Sequence, residues 1–226
     1  MVARCWRGFT RIAIVCGLLG GCGGDDDAGP AEPPTDPCSP HLPINWAPGW
    51  RPPLAPRPDA CTLLQIDGEY AACEAASATS ATCSSFRDDA NNQGCLSCLF
   101  SDEADAAYGP IIRAAEVWRS NTAGCIALLD RDVGAGGCGA RVQASSSCYD
   151  AACAGCAPLD AFIKCRQEAA ETTCRPYYLD AVCVLRPEYA SCTEYATNQE
   201  FFVAAARMFC SHGASPSAGV RAEGRP

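Results

Sequence analysis

The sequence predicts an all-α fold: a small helical domain cross-linked by disulfides and preceded by a Pro-rich stalk. Three observations predict it. The chain carries 19 cysteines in 226 residues, a load that marks a disulfide scaffold in an exported protein and not a cytosolic fold. Apolar residues recur at helical spacing in several segments. Period-two alternation of β-branched residues is hard to find anywhere in the chain. The charge balance narrows the partners, because 17 basic residues stand against 26 acidic ones for a net charge of −9. A net acidic surface repels a phosphate backbone, so neither nucleic acid nor nucleotide is an expected partner.

The first element is an address. Residues 1–21 carry Arg4, Arg7 and Arg11 and no acid, followed by the apolar run Ile12-Ala13-Ile14-Val15-Cys16-Gly17-Leu18-Leu19. That is the charged and then apolar order of an export signal. The run is well short of the roughly 20 residues a spanning helix needs. It ends in Leu19-Gly20-Gly21-Cys22, which resembles the lipobox of bacterial lipoprotein precursors. The resemblance implies cleavage between Gly21 and Cys22, a diacylglycerol on the Cys22 thiol and further acylation of the new amino group. Two or three acyl chains hold a protein stably where one is marginal. Gly23 follows in place of the Asp that favours inner-membrane retention, so the resemblance points to the outer membrane. Removing the signal takes away three arginines and no acid, moving the net charge from −9 to −12. Attachment must then come from the lipid and not from a basic patch.

The second element, 22–60, holds the lipid anchor and a linker, and residues 23–60 contain 11 of the 17 prolines. Such a stretch favours extended polyproline II and forms neither helix nor central strand. The third, 61–210, is the expected cysteine-rich helical domain. Residues 63–78 read as helical, weakened by Gly68. A helix is expected from Pro110, stacking Ile111, Ala115 and Trp118. Another runs from about Leu159 to Cys174 with Phe162, Cys165 and Ala169 on one stripe, closed by Pro176. Thr197 and Glu200 form a capping box before a helix presenting Phe201, Ala205, Met208 and Phe209. Residues 211–226, rich in Gly, Ser and Pro, read as a disordered tail.

The cysteine spacing suggests a duplication. Cys61, Cys73, Cys83, Cys95 and Cys98 are matched in style by Cys125, Cys138, Cys148, Cys153 and Cys156, each set ending in Cys-x-x-Cys. Cys165, Cys174, Cys183, Cys192 and Cys210 make a third group. These fifteen cannot all pair among themselves, so Cys38 is expected to bond to one of them and fold the segment bearing Trp46 and Trp50 against the domain, the alternative being a Cys38 that links the stalks of two copies. The combination of lipobox, Asp- and Pro-rich stalk, low Lys content and cysteine-dense, Ala-rich domain resembles cysteine-rich lipoproteins of myxobacterial-type secretomes. That resemblance implies no activity.

Chemical motifs are thin. Cys95-x-x-Cys98 and Cys153-x-x-Cys156 have thioredoxin-like spacing, but nothing around them reads as the strand-to-helix junction a redox pair needs. With 54 residues between the pairs, they are too far apart in sequence for an ordinary four-thiolate zinc site. Cys148, Cys153 and Cys156 match three ferredoxin ligands by spacing alone, in helical surroundings. Asp130-Arg131-Asp132-Val133-Gly134 begins like a calcium loop and fails at position 12, which is Arg141. Asp88-Asp89 and Glu168 with Glu171 are acid pairs of the kind that usually line a solvated face. His41 and His212, the two histidines, lie in Pro- or Gly-rich segments. No catalytic residue, metal or cofactor is therefore expected. Trp46 and Trp50 are the binding candidates, able to stack on a sugar ring or enter a partner's groove if they do not pack on the core.

The expected function is non-enzymatic: a disulfide-stabilised binding or adhesion module on the cell envelope, lipid-anchored at the outer membrane, with an envelope glycan or a surface protein as partner. The competing expectation is a thiol-disulfide oxidoreductase using a Cys-x-x-Cys pair.

Overall fold

Helix dominates the chain wherever a capped amphipathic stretch can lean on a disulfide. The computed structural model describes residues 38–114 and 117–211. The expected signal segment with Gly21 and Cys22, the start of the linker, Ala115, His212 and the rest of the tail lie outside the described residues. The helices are α1 (Leu63–Glu69), α2 (Ser80–Asp88), α3 (Gln93–Leu99), α4 (Thr122–Asp130), α5 (Cys138–Ala152), α6 (Leu159–Glu171), α7 (Arg175–Asp180), α8 (Ala190–Thr193) and α9 (Asn198–Cys210).

Local chemistry explains their ends. Thr62 caps α1 in a reciprocal box with Gln65, and α1 runs on into a π-helical turn, Tyr70–Glu74. Gly68 fits there because a Cβ at that position would sit 2.8 Å from Phe86 Cε2. Thr197 accepts from the Glu200 backbone at the start of α9, while the Glu200 carboxylate reaches one residue further back, to the Ala196 N–H. Helix α9 buries Phe202, Ala205, Ala206 and Phe209, so its inner face is turned from the expected one and Phe201 is left half-buried. Pro176 does not close the 159–174 helix. That helix ends at Glu171, and Pro176 opens α7 in its first turn.

The all-α expectation needs one correction. Strands β1 (Phe100–Asp102), β2 (Ile111–Ala114) and β3 (Val117–Ser120) form a sheet in that order, β2 parallel to β1 and antiparallel to β3. The helix expected from Pro110 is therefore the β2–β3 hairpin. Ile111, Ile112, Val117 and Trp118 are strand-favouring residues whose positions happened to imitate a helical stripe. Both Ile111 and Ile112 are buried, because β2 is covered on both faces, and a strand covered on both faces shows no alternation in its sequence.

The link from β1 back to parallel β2 is only eight residues, 103–110, shorter than the usual crossover. Buried Asn121 holds it. Its Nδ2 donates to the carbonyls of Tyr108 and Gly109 at 3.2 and 3.0 Å, while its Oδ1 caps α4 at the Gly124 N–H, 2.8 Å away. Gly109 passes so close that a Cβ would lie 3.0 Å from the Cys98 carbonyl.

Eight disulfides cross-link the described residues. Cys125–Cys192, Cys138–Cys183, Cys148–Cys174 and Cys153–Cys165 are nested one inside the next. Cys61–Cys95 and Cys73–Cys83 lie within the first cysteine group, whereas Cys98–Cys210 and Cys38–Cys156 tie distant segments. The first group thus pairs largely with itself and the second pairs outward, so the two spacing sets are not equivalent units. Similar spacing did not carry similar pairing. Such bridges belong to an oxidising, extracytoplasmic compartment.

From Cys38 onward the Pro-rich segment lies along the helices and is not a free spacer. His41 N–H donates to Ala152 O at 3.1 Å, the Tyr108 N–H to Pro52 O at 2.9 Å and the Arg57 N–H to Phe209 O at 2.6 Å. The folded body therefore takes in residues ahead of Cys61.

Helices α4 and α5 approach most closely at Gly139, where a Cβ would meet Ala123 O at 2.4 Å and Ala127 Cβ at 2.8 Å. Gly139→Ala is expected to cost about 1–3 kcal/mol by overpacking. Gly94→Ala in α3, whose Cβ would meet nothing within 4 Å, is expected to be neutral or stabilising by up to about 1 kcal/mol. Urea unfolding of both variants without reductant checks the contrast.

Candidate functional site

The candidate site grows from one buried ring. Phe202, fully buried on α9, has Tyr70 tilted against it at 5.5 Å, Phe100 at 6.4 Å and Trp118 edge-on at 5.7 Å. These rings come from the π turn, β1 and β3, so the sheet and the helices meet at this cluster. Above it opens a groove of about 560 Å³ lined by Tyr70, Glu74, Trp118, Arg119, Ser120, Asn198 and Phe201. Tyr70 and Glu74 are the two ends of the π turn. That wider winding is uncommon and recurs frequently at functional sites.

The far lip of the groove is Phe201, which stacks on Tyr195 with centroids 4.9 Å apart. Beyond it lies a second hollow of about 380 Å³, lined by Tyr195, Thr193 and Thr197 and sharing Asn198 and Phe201 with the first. Burial pushes the Tyr195 phenol up to about 12, so it stays a neutral hydroxyl at any physiological pH.

An ionic cluster props the groove from below. Arg87 donates to Glu69 Oε1 from Nη2 at 2.6 Å and from Nε at 3.0 Å, and its Nη2 also reaches Glu74 at 3.4 Å. Arg113 sits 3.7 Å from the same Glu69 oxygen with its guanidinium over the Phe100 ring, 3.4 Å from the centroid. Burial raises the pKa of Glu69, which is 0% exposed, more than Arg87 and Arg113 lower it. Burial likewise lowers that of Arg113, with the neighbouring Arg87 charge adding to the effect. A raised carboxyl suits acid catalysis only where a substrate can reach it. Glu69 is sealed and its Oε1 is already engaged, so it braces Arg87, Glu74 and the π turn.

The binding candidates from sequence lie elsewhere. Trp46 packs edge-on against Tyr177 at 5.4 Å, and Trp50 Nε1 donates to Val133 O at 2.9 Å. Both are half-buried against the domain, and neither lines the groove. The other motifs resolve into structural contacts. Tyr189 Oη donates to the Asp130 carboxylate, with both oxygens within 2.6 Å, and Asp132 accepts from the Gly134 N–H in its own turn. Asp89 caps the turn at Asn91, and Glu168 and Glu171 point to solvent on α6. His41 is exposed, its Nδ1 2.9 Å from Ser39 O. None of the motif cysteines bonds within its motif: Cys95 goes to Cys61, Cys98 to Cys210, Cys153 to Cys165 and Cys156 to Cys38. No group of three His, Cys, Asp or Glu side chains among the described residues is arranged to hold a metal ion.

Tyr70, Trp118 and Phe201 do not stand out in sequence as binding residues, because Trp118 and Phe201 fall on apparent buried helical stripes. The available signal was two adjacent phenylalanines in one helix, which cannot both face the core. Comparison with protein-family models, with curated proteins and with solved structures gives no match to this chain.

Because the folded-state pKa of Glu69 lies above its unfolded value, the stabilisation that its protonated form provides is complete at acid pH and is lost as pH rises through the raised value. Relative to Glu69→Gln, the wild type should therefore lose stability as pH climbs from the ordinary carboxylate range through that value, then run parallel to the variant. Denaturant unfolding of both proteins across pH measures the difference directly.

Proposed function

We propose that this chain is a non-enzymatic binding module of the cell envelope, exported, lipidated at Cys22 and held at the outer membrane. The pairing pattern carries the non-enzymatic reading. All four cysteines of the Cys-x-x-Cys motifs are committed to partners outside their motifs, and Cys95, Cys98 and Cys153 are buried. A thiol-disulfide enzyme needs an accessible, low-pKa thiolate beside its resolving cysteine. Here reduction would free thiols by opening the core. The groove between Tyr70, Trp118 and Phe201 supplies a binding surface built on that cross-linked frame.

Lipid attachment rests on Leu19-Gly20-Gly21-Cys22 following an Arg-flanked apolar run. No described helix is long and apolar enough to cross a membrane. Since the chain is strongly acidic, an acyl anchor is the attachment that anionic headgroups would not oppose.

Two measurements test this reading. In the native host, Cys22→Ser should abolish acyl labelling and release the protein from the membrane fraction; a wild type that carries no acyl mass yet stays membrane-bound would defeat the anchor assignment. In an insulin-reduction assay the protein should not exceed small-molecule dithiol controls. Turnover above that level, lost in Cys95→Ser or Cys153→Ser, would establish the enzyme reading instead.

A further inference from the structure

The geometry points to a neutral oligosaccharide as the occupant of the groove between Tyr70, Trp118 and Phe201, an inference that rests on the binding-module reading and gives its ligand a chemical class. Four features select that class.

The first is the mixture of surfaces. Trp118, Tyr70 and Phe201 offer ring surface, while Asn198 and Glu74 offer hydrogen-bonding groups within the same groove. A pyranose has the matching construction, with an apolar C–H face and a rim of hydroxyls that both donate and accept. A purely apolar ligand would leave the polar groups desolvated and unpaired, at a cost.

The second is charge. Arg119 is held by Glu103 at 3.2 Å and by Asp150 at 3.0 Å, and Glu74 is held by Arg87 at 3.4 Å. Each charge bordering the groove already has a counter-ion from the protein. A ligand bringing its own net charge would find no unpaired opposite charge to meet it, whereas a neutral polar ligand needs none.

The third is size and shape. A groove of about 560 Å³ is of small-ligand dimensions, within the range of about 300–1,000 Å³ usual for such sites. It continues past Phe201 and Asn198 into the hollow beside Tyr195. A trough with ring surface on both sides of a shared lip fits a chain of linked rings better than a single one.

The fourth is rigidity. The inner rings are oriented by buried Phe202, and α9 is pinned at its end by Cys98–Cys210. The binding surface is therefore set before any ligand arrives, which lowers the ordering cost of association.

The test uses the full lipoprotein purified in a non-glycosidic detergent. After signal removal the chain retains Trp46, Trp50 and Trp118, so a Trp46→Phe/Trp50→Phe background makes Trp118 the reporter. Titration with cellotetraose and with tetra-N-acetylchitotetraose should give a saturable change in Trp118 emission with at least one of them, and an acidic oligogalacturonate of equal length should give none. Phe201→Ala should weaken binding about tenfold or more, and Asn198→Ala, on an exposed side chain, should weaken it as well. Non-reducing peptide mapping confirms the eight bridges in each variant. The inference is overturned if neither neutral tetrasaccharide gives saturable binding up to millimolar concentration, or if binding persists unchanged in both variants. Cross-linking of the wild type to envelope extracts separates the two levels: Trp118-dependent capture of a protein with no response to either sugar removes the glycan assignment and keeps the module, whereas failure of both removes both.

Discussion

Everything in this fold depends on covalent cross-links taking the place of a large hydrophobic core. Several helices are far too short to persist alone: α4 has nine residues, α7 six and α8 four, against the roughly 12–15 at which an isolated helix becomes even marginal. The four nested bridges compensate. They zip the chain from Cys125 to Cys153 against the chain from Cys165 to Cys192 in opposite directions, rung by rung. Once one rung is closed, the next closes a ring much shorter than its own sequence span, so each added rung contributes at the lower end of the usual disulfide gain, about 2–3 kcal/mol. The sulfurs also fill space. Cysteines sit among the buried residues in all three core clusters, with Ala more common than larger aliphatics in the cluster around Cys148 and Cys165.

Against that frame the polar contacts do finer positioning. Asn121 joins three tasks in one side chain, capping α4, holding two carbonyls of the short β1–β2 link and lying where a Cβ on residue 124 would collide with it, 2.3 Å from Nδ2. Glu69 plays the corresponding part for the helices near the groove. Neither residue lines the groove: Glu69 braces the π turn that carries Tyr70 and Glu74, and Asn121 follows directly on β3. Arg119 on β3 and Tyr70 on the π turn meet at the same groove.

The fold was legible in sequence where local signals act alone. Thr197 capped a helix, Leu159 began one, and the odd cysteine count in the core required Cys38 to look inward. Legibility failed where tertiary cover changes the code. Ile111 and Ile112 lost strand alternation because β2 is buried on two sides, and the run Ile111, Ala115, Trp118 then imitated a helix. Pro176 reads as a stop in sequence, although proline is equally at home in a first turn. For the site, the sequence offered Trp46 and Trp50, conspicuous among prolines, while the groove is assembled from Tyr70, Trp118 and Phe201, which are distant in sequence and joined only by Phe202. Spacing of the cysteines misled for a similar reason: it records where bridges start and says nothing of where they end.

The bridge from Cys38 to Cys156 has a mechanical consequence. Tension applied to the chain ahead of Cys38 does not peel residues 39–60 away from the body one contact at a time, because the disulfide passes the load straight to the C-terminal side of α5. From there it spreads into the nested rungs, whose bonds resist forces that would strip hydrogen bonds. The extensible length between an attachment point upstream and the folded body is thereby capped at Cys38. A pull on the upstream chain therefore meets covalent bonds before it meets the weaker contacts of residues 39–60.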